Sequence, residues 1–300
     1  MGGGLHASCP REVQSSRSGM AATSRSGESC RSRYAPEMEG KRILVTGAAG
    51  AVGHTVTQGL REQGHFVRGY DLNAATLPGE HWVGDLSDVQ SLRRAASDVD
   101  TIVHLAAVPD RDNFVEQLVP HNIVGTQRVL EVARLNGVKR VIYGSSCRVV
   151  GGVDWQQEKI SLDTGLVPGD HYGVSKATGE ILGRMYADRF GISVICARLG
   201  WFVRNTEEAS RVESVLSGVR IYLSHDDALQ FFVKAVAAER VPFATVFVAS
   251  KNGGRGLFDV EPARRLFGFE PRDTWPEGSS WSSELRFPSP RHGASLLPPG

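Results

Sequence analysis

An α/β fold built on a doubly wound parallel sheet is predicted by three features of this chain. Short apolar runs alternate with longer helical stretches from Lys41 onward, a glycine cluster follows the first run, and an acidic residue closes the second. Strands buried on both faces read as continuous apolar runs. Their strict alternation with helices calls for parallel neighbours joined by crossovers.

The elements follow in order. Ile43 to Val45 is an apolar run bounded by turn signals, which suits a buried strand, and a helix is expected over residues 52–63. A second strand is expected from Phe66 to Tyr70, closing at Asp71. A weak third covers 81–84, a fourth 101–105, and a fifth lies within 138–145. A sixth spans 193–199 and a seventh 245–249, with long helices over 122–135 and 172–190. A small C-terminal part, residues 199–278, is left to bind substrate. No repeat at solenoid spacing is present.

Composition excludes several classes. Apolar residues make up 41% and charged residues 22%, enough to bury a proper core within residues 38–278. With 34 basic against 33 acidic residues, no field attracts nucleic acid or an anionic membrane. No apolar run approaches the roughly 20 residues needed to span a bilayer. Cysteines at 9, 30, 147 and 196 lack CxxC spacing, so neither a zinc site nor a disulfide framework is expected. Reduced thiols suit a cytoplasmic location. Residues 1–37 are rich in Ser, Arg and Gly without apolar period, and residues 279–300 form a Ser/Pro-rich tail. The N-terminal stretch reads either as an organellar transit peptide with five arginines or as an extension upstream of a start at Met38.

The string TGAAGAVG, Thr46 to Gly53, joins a predicted strand to a predicted helix. Gly47 permits a tight turn, Gly50 lets backbone amides approach a pyrophosphate, and Gly53 lets the helix pack on the sheet. With Ala51 and Val52 they open a helix whose free N–H groups attract phosphate. Asp71, 18 positions beyond Gly53, can accept from adenosine ribose hydroxyls and repels a 2′-phosphate. NAD rather than NADP is therefore expected on a Rossmann-type sheet.

With these residues the chain resembles the extended short-chain dehydrogenase/reductases, the NAD-dependent epimerase/dehydratase family, over about residues 40–277. The likeness extends to Asp85-Leu86 after the third strand, to His104-Leu105-Ala106-Ala107, to Asn122, to Ser145-Ser146, and to Tyr172 with Lys176. It implies that Asp85 and Leu86 contact adenine and that Leu105, Ala106 and Ala107 line the cofactor cleft. Within the family the chain is most similar to the uronate dehydrogenases, through residues 171–198, 223–236 and 266–271. Those enzymes oxidise the anomeric carbon of a hexuronic acid with NAD.

The resemblance assigns catalysis to Tyr172, Lys176, Ser146 and Asn122. Tyr172 and Lys176 share a helix face at i, i+4. A phenol with a pKa near ~10 is a poor base, but an adjacent ammonium favours its phenolate. Tyr172 then serves as general base on a substrate hydroxyl, Ser146 holds the reacting oxygen, and Asn122 helps hold a proton relay. Packing, turn and capping roles are the alternatives for these side chains. Arg198 matches the arginine expected to clamp a carboxylate; its alternative is an ion pair inside the fold. Where uronate dehydrogenases carry Asn-His after the serine, this chain has Cys147-Arg148, and Pro109 replaces a serine beyond the fourth strand. Arg148 is a candidate replacement contact for an acidic substrate. His225, Asp226 and Asp227 are read as capping or preceding a helix, not as metal ligands.

A small sugar acid is thus the expected substrate. A nucleotide-sugar epimerase or dehydratase is the alternative, although no acidic pair follows Ser146 and only about 80 residues separate Arg198 from the tail. A non-catalytic NAD-binding protein on the same fold is the third reading. The resemblance also implies a homo-oligomer whose seam is formed by the long helices.

Overall fold

The computed structural model describes Met1 and residues 40–74, 79–109, 113–215 and 217–277. The expectations for the N-terminal stretch beyond Met1 and for the C-terminal tail lie outside the described residues. Among the described residues, nine strands run in chain order as β1 (Arg42–Thr46), β2 (Phe66–Asp71), β3 (His81–Val83), β4 (Thr101–His104), β5 (Arg140–Ser146), β6 (Ser193–Leu199), β7 (Trp201–Phe202), β8 (Tyr222–Leu223) and β9 (Phe243–Val248). Seven of them form one parallel sheet in the order β3-β2-β1-β4-β5-β6-β9, and β7 pairs with β8 in a separate parallel ribbon. The α/β, doubly wound, Rossmann-type architecture expected from the sequence is present.

Side chains alternate across a strand, so each strand serves both layers. Ile43 and Val45 join one core with Val56 and Leu60 of α1 (Ala51–Glu62) and Phe231 and Phe232 of α6 (His225–Ala237). Leu44 points the other way, into a core with Leu92 of α2 (Val89–Ala95), Val129 and Leu130 of α3 (Gly125–Leu135) and Tyr186 of α4 (His171–Phe190). Burial on both faces is why β1, β4 and β5 lack polar alternation.

Two details depart from the sequence reading. The helix expected to begin at Asn122 starts at Phe114, and its first part, Phe114–Val124, is wound as a π-helix. Pro120 inside it has no N–H to give, and the Gly125 N–H reaches back five residues to the Pro120 carbonyl. The seventh strand of the sheet starts two residues earlier, at Phe243. Within the stretch after β6, β9 and α6 belong to the main sheet and its covering layer. Between β6 and α6 the chain passes through β7, α5 (Thr206–Ser214) and β8, and Trp201 and Phe202 of β7 reach the cleft described below.

Candidate active site

The strand order reverses between β1 and β4, and ligands of open α/β sheets bind outside the carboxyl ends at such a switch point. A cleft of about 660 Å³ lies there. Gly47 takes φ 75°, a region open to glycine, and a Cβ on it would sit 2.5 Å from the Ala106 nitrogen. A Cβ on Gly53 would lie 1.9 Å from the Gly47 carbonyl oxygen, so α1 is pressed against the turn. The first turn of α1 holds no acidic residue, and no side chain caps it. Its orphan N–H groups are therefore available to an anion.

Asp71 lies in the cleft at the end of β2, where its carboxylate accepts from Ala49 N–H at 3.0 Å and Asn73 N–H at 3.0 Å. Partly exposed, it keeps lone pairs for ribose hydroxyls. Asp85 accepts from Ser87 N–H at 2.6 Å, which holds its carboxyl below the usual range. Leu86, Leu105, Ala106 and Ala107 line the same cleft. A cradle that side chains would fill, uncapped amides and a carboxylate in the same cleft fit NAD. Gly53→Ala is expected to raise the NAD Kd at least tenfold, about 1.4 kcal/mol, in a fluorescence titration; an unchanged Kd contradicts this packing.

The catalytic candidates converge from three elements. Tyr172 opens α4, whose N-cap Asp170 accepts from Gly173 N–H at 2.6 Å. Lys176 is only 3% exposed and donates to the Gly144 carbonyl at 2.8 Å. Its Nζ lies 5.8 Å from the centre of the Tyr172 ring and 5.1 Å from that of Tyr143. Burial pulls its pKa down to about 8. Ser146 ends β5 in the cleft and accepts from Arg148 N–H at 3.2 Å, whereas the neighbouring Ser145 hydroxyl is spent on Glu180 at 2.6 Å. Asn122 is buried in the π-helix: Val108 N–H donates to its Oδ1 at 2.8 Å, and its Nδ2 donates to Ser175 Oγ at 3.1 Å and the Val108 carbonyl at 3.0 Å.

The substrate end of the cleft differs from the expectation. Arg198, read as a carboxylate clamp, is 4% exposed and paired with Glu180 through Nε–Oε1 at 3.0 Å and Nη2–Oε2 at 2.9 Å. Its guanidinium faces the interior between β6 and α4 and is not in the cleft lining, so the ion-pair alternative describes it. Arg148 does line the cleft and is paired with Asp170, which ties the turn after β5 to the cap of α4. Its Nε and Nη1 are buried without a hydrogen-bond partner. Arg204 also lines the cleft, held by Glu208 of α5 through Nε at 2.6 Å.

The family profile described as NAD dependent epimerase/dehydratase matches residues 43–233. The chain belongs to that family. It is thereby an NAD-dependent enzyme, and NAD is its cofactor. Among this family, a uronate dehydrogenase of Pseudomonas syringae pv. tomato is 33% identical over 215 residues, 70% of this chain and 75% of its own. An L-arabinose 1-dehydrogenase (NAD(P)(+)) of Haloferax volcanii is 33% identical over 253 residues, 77% of this chain and 96% of its own. A mutant uronate dehydrogenase from Agrobacterium tumefaciens, complexed with NAD, superposes with a TM-score of 0.68 at 30% identity over 78% of this chain and 85% of that one.

Cleft-lining residues that the sequence did not point to include Gln117, His121, Trp201 and Arg204. Gln117 and His121 were hidden because the helix begins eight residues before its expected start. Arg204 had one signal, the i, i+4 spacing to Glu208. The His225-Asp226-Asp227 string forms the first turn of α6 behind its cap, Ser224. His225 bonds the Val203 carbonyl at 2.9 Å, and Asp227 accepts from Arg272 N–H at 2.9 Å. No described helix is long and apolar enough to cross a membrane.

Proposed function

We propose that this protein oxidises a hydroxyl of a small sugar acid, passing hydride to NAD, with Tyr172 as base and Lys176, Ser146 and Asn122 as its partners. The observation that carries the proposal is the buried Lys176 ammonium, anchored on Gly144 and lying beside the Tyr172 ring at the cleft. NAD, when bound, supplies the hydride acceptor; Gly47, Gly50, Gly53 and Asp71 hold it. Tyr172 takes the hydroxyl proton as the C–H bond gives up its electron pair, leaving a carbonyl. Lys176 favours the phenolate by its charge, and Ser146 donates to the reacting oxygen. Asn122 acts through position, fixing Val108 at the cleft wall and Ser175 beneath Tyr172.

The acid class rests on two guanidinium groups at the substrate end, Arg148 and Arg204, and on the uronate dehydrogenases among the relatives. Arg148 keeps Nε and Nη1 without a partner, and a planar guanidinium suits a carboxylate or paired sugar hydroxyls. The test mixes the protein with NAD and a panel of uronates, neutral aldoses and nucleotide sugars and follows NADH absorbance. Growth with a uronate supports the reading; growth with neutral aldoses alone overturns the acid. Arg148→Ala is expected to raise KM for the acid at least tenfold with a smaller change in kcat, and unchanged kinetics remove Arg148 from substrate binding.

A second copy of the chain is the proposed partner. Val174, Ile181 and Met185 are exposed along one face of α4, at offsets of 7 and 4 residues, as a self-complementary seam requires.

A further inference from the structure

The cofactor turn and the catalytic helix lie on different elements, and a string of buried hydrogen bonds through side chains and two main-chain carbonyls connects them. Thr46 ends β1 immediately before Gly47, and its Oγ1 lies 2.7 Å from His104 Nδ1. On the other side of the ring, His104 Nε2 lies 3.1 Å from Thr126 Oγ1. The Thr126 hydroxyl donates to the Asn122 carbonyl at 2.5 Å, Asn122 Nδ2 donates to Ser175 Oγ, and Ser175 Oγ donates to the Tyr172 carbonyl at 2.8 Å. Thr46, His104, Asn122, Thr126 and Ser175 are each at most 2% exposed.

Proton counting sets the direction of every link. The single Thr126 hydroxyl proton is committed to the Asn122 carbonyl, so Thr126 Oγ1 can only accept from the imidazole. His104 must then carry its proton on Nε2 and accept at Nδ1, which obliges the Thr46 hydroxyl to donate. Thr46 Oγ1 keeps its lone pair toward Ala106 N–H, 3.5 Å away at the cleft wall. A cationic imidazole would donate from Nδ1 as well, and the Thr46 hydroxyl proton would lose the acceptor it has here. Burial, and after it the charge of Lys176, lowers the His104 pKa to about 3.

We infer that His104 is a positioning residue: as the neutral Nε2–H tautomer it joins the cofactor turn to the Asn122–Ser175–Tyr172 linkage, so that the dinucleotide and the base are held in one frame. The inference rests on Tyr172 being the base, but its first test does not. Nitrogen NMR of the NAD-loaded protein with labelled histidine should give His104 a protonated Nε2 and a bare Nδ1. The Nδ1–H tautomer, or an imidazolium at neutral pH, overturns the inference whatever the substrate proves to be. The second test is kinetic. His104→Phe fills the volume and removes both links, and is expected to lower kcat by ten- to a hundredfold, as roughly 1 Å of misplacement does. His104→Gln, which offers a donor and an acceptor, should recover most of the loss. Equal impairment of the two variants, or wild-type kcat in the Phe variant, overturns it; a Phe variant that fails to fold leaves the decision to the NMR measurement.

Discussion

Tyr172→Phe is expected to lower kcat by about 10²- to 10⁴-fold, the range supplied by a positioned general base, while the NAD Kd stays within a factor of two or so of wild type. The substitution deletes one hydroxyl at the cleft and leaves the ring and Asp170 cap of α4 in place. Stopped-flow or steady-state NADH formation reads the first quantity and a fluorescence titration the second. Retention of more than a tenth of wild-type kcat would remove Tyr172 from the proton step. A pH profile gives the same chemistry from the side of Lys176. Its ammonium, with a pKa lowered to about 8 by burial, is charged below that pH and neutral above it. Support for the phenolate is present on the acid side and fades on the alkaline side, so kcat should stop rising with pH near that value.

Glu180→Gln is expected to destabilise the fold by about 3–5 kcal/mol, because it strands the Arg198 guanidinium in the interior. For a domain of this size that is a fall in Tm of roughly 6–20 °C by calorimetry. Glu180 is 5% exposed and accepts from Arg198 through both oxygens and from Ser145, so its charge is compensated by three donors. The double replacement Glu180→Met with Arg198→Met should recover most of the loss, since removing both charges also removes the cost of burying them. An Arg198→Met protein with wild-type Tm and a raised KM for the acid would return Arg198 to the substrate.

The two outcomes separate the two kinds of residue that meet in α4. Tyr172 and Lys176 line the cleft, whereas Glu180, one turn beyond Lys176, is buried against β6. One helix face thus carries proton chemistry at its start and an ion pair that fixes its height over the sheet farther along. Sequence spacing places all three on that face but says nothing of which are covered.

What the chain determined by itself was local. Apolar runs buried on two faces, glycines where a Cβ would strike Ala106 or Gly47, an aspartate closing β2 and a Tyr–Lys pair one turn apart are short-range patterns, and they specified the sheet, its cofactor turn and the candidate catalytic pair. What only the tertiary structure decided was which side chain answers which across long separations. Arg198 and Glu180 are 18 residues apart, His104 and Thr46 are 58 apart, and Asn122 and Ser175 are 53 apart. A guanidinium that reads as a clamp in sequence becomes an internal partner once a carboxylate from another element reaches it first. The reason is desolvation: a buried charge or polar group must find a partner wherever the packing puts one, and the chain order does not record where that is.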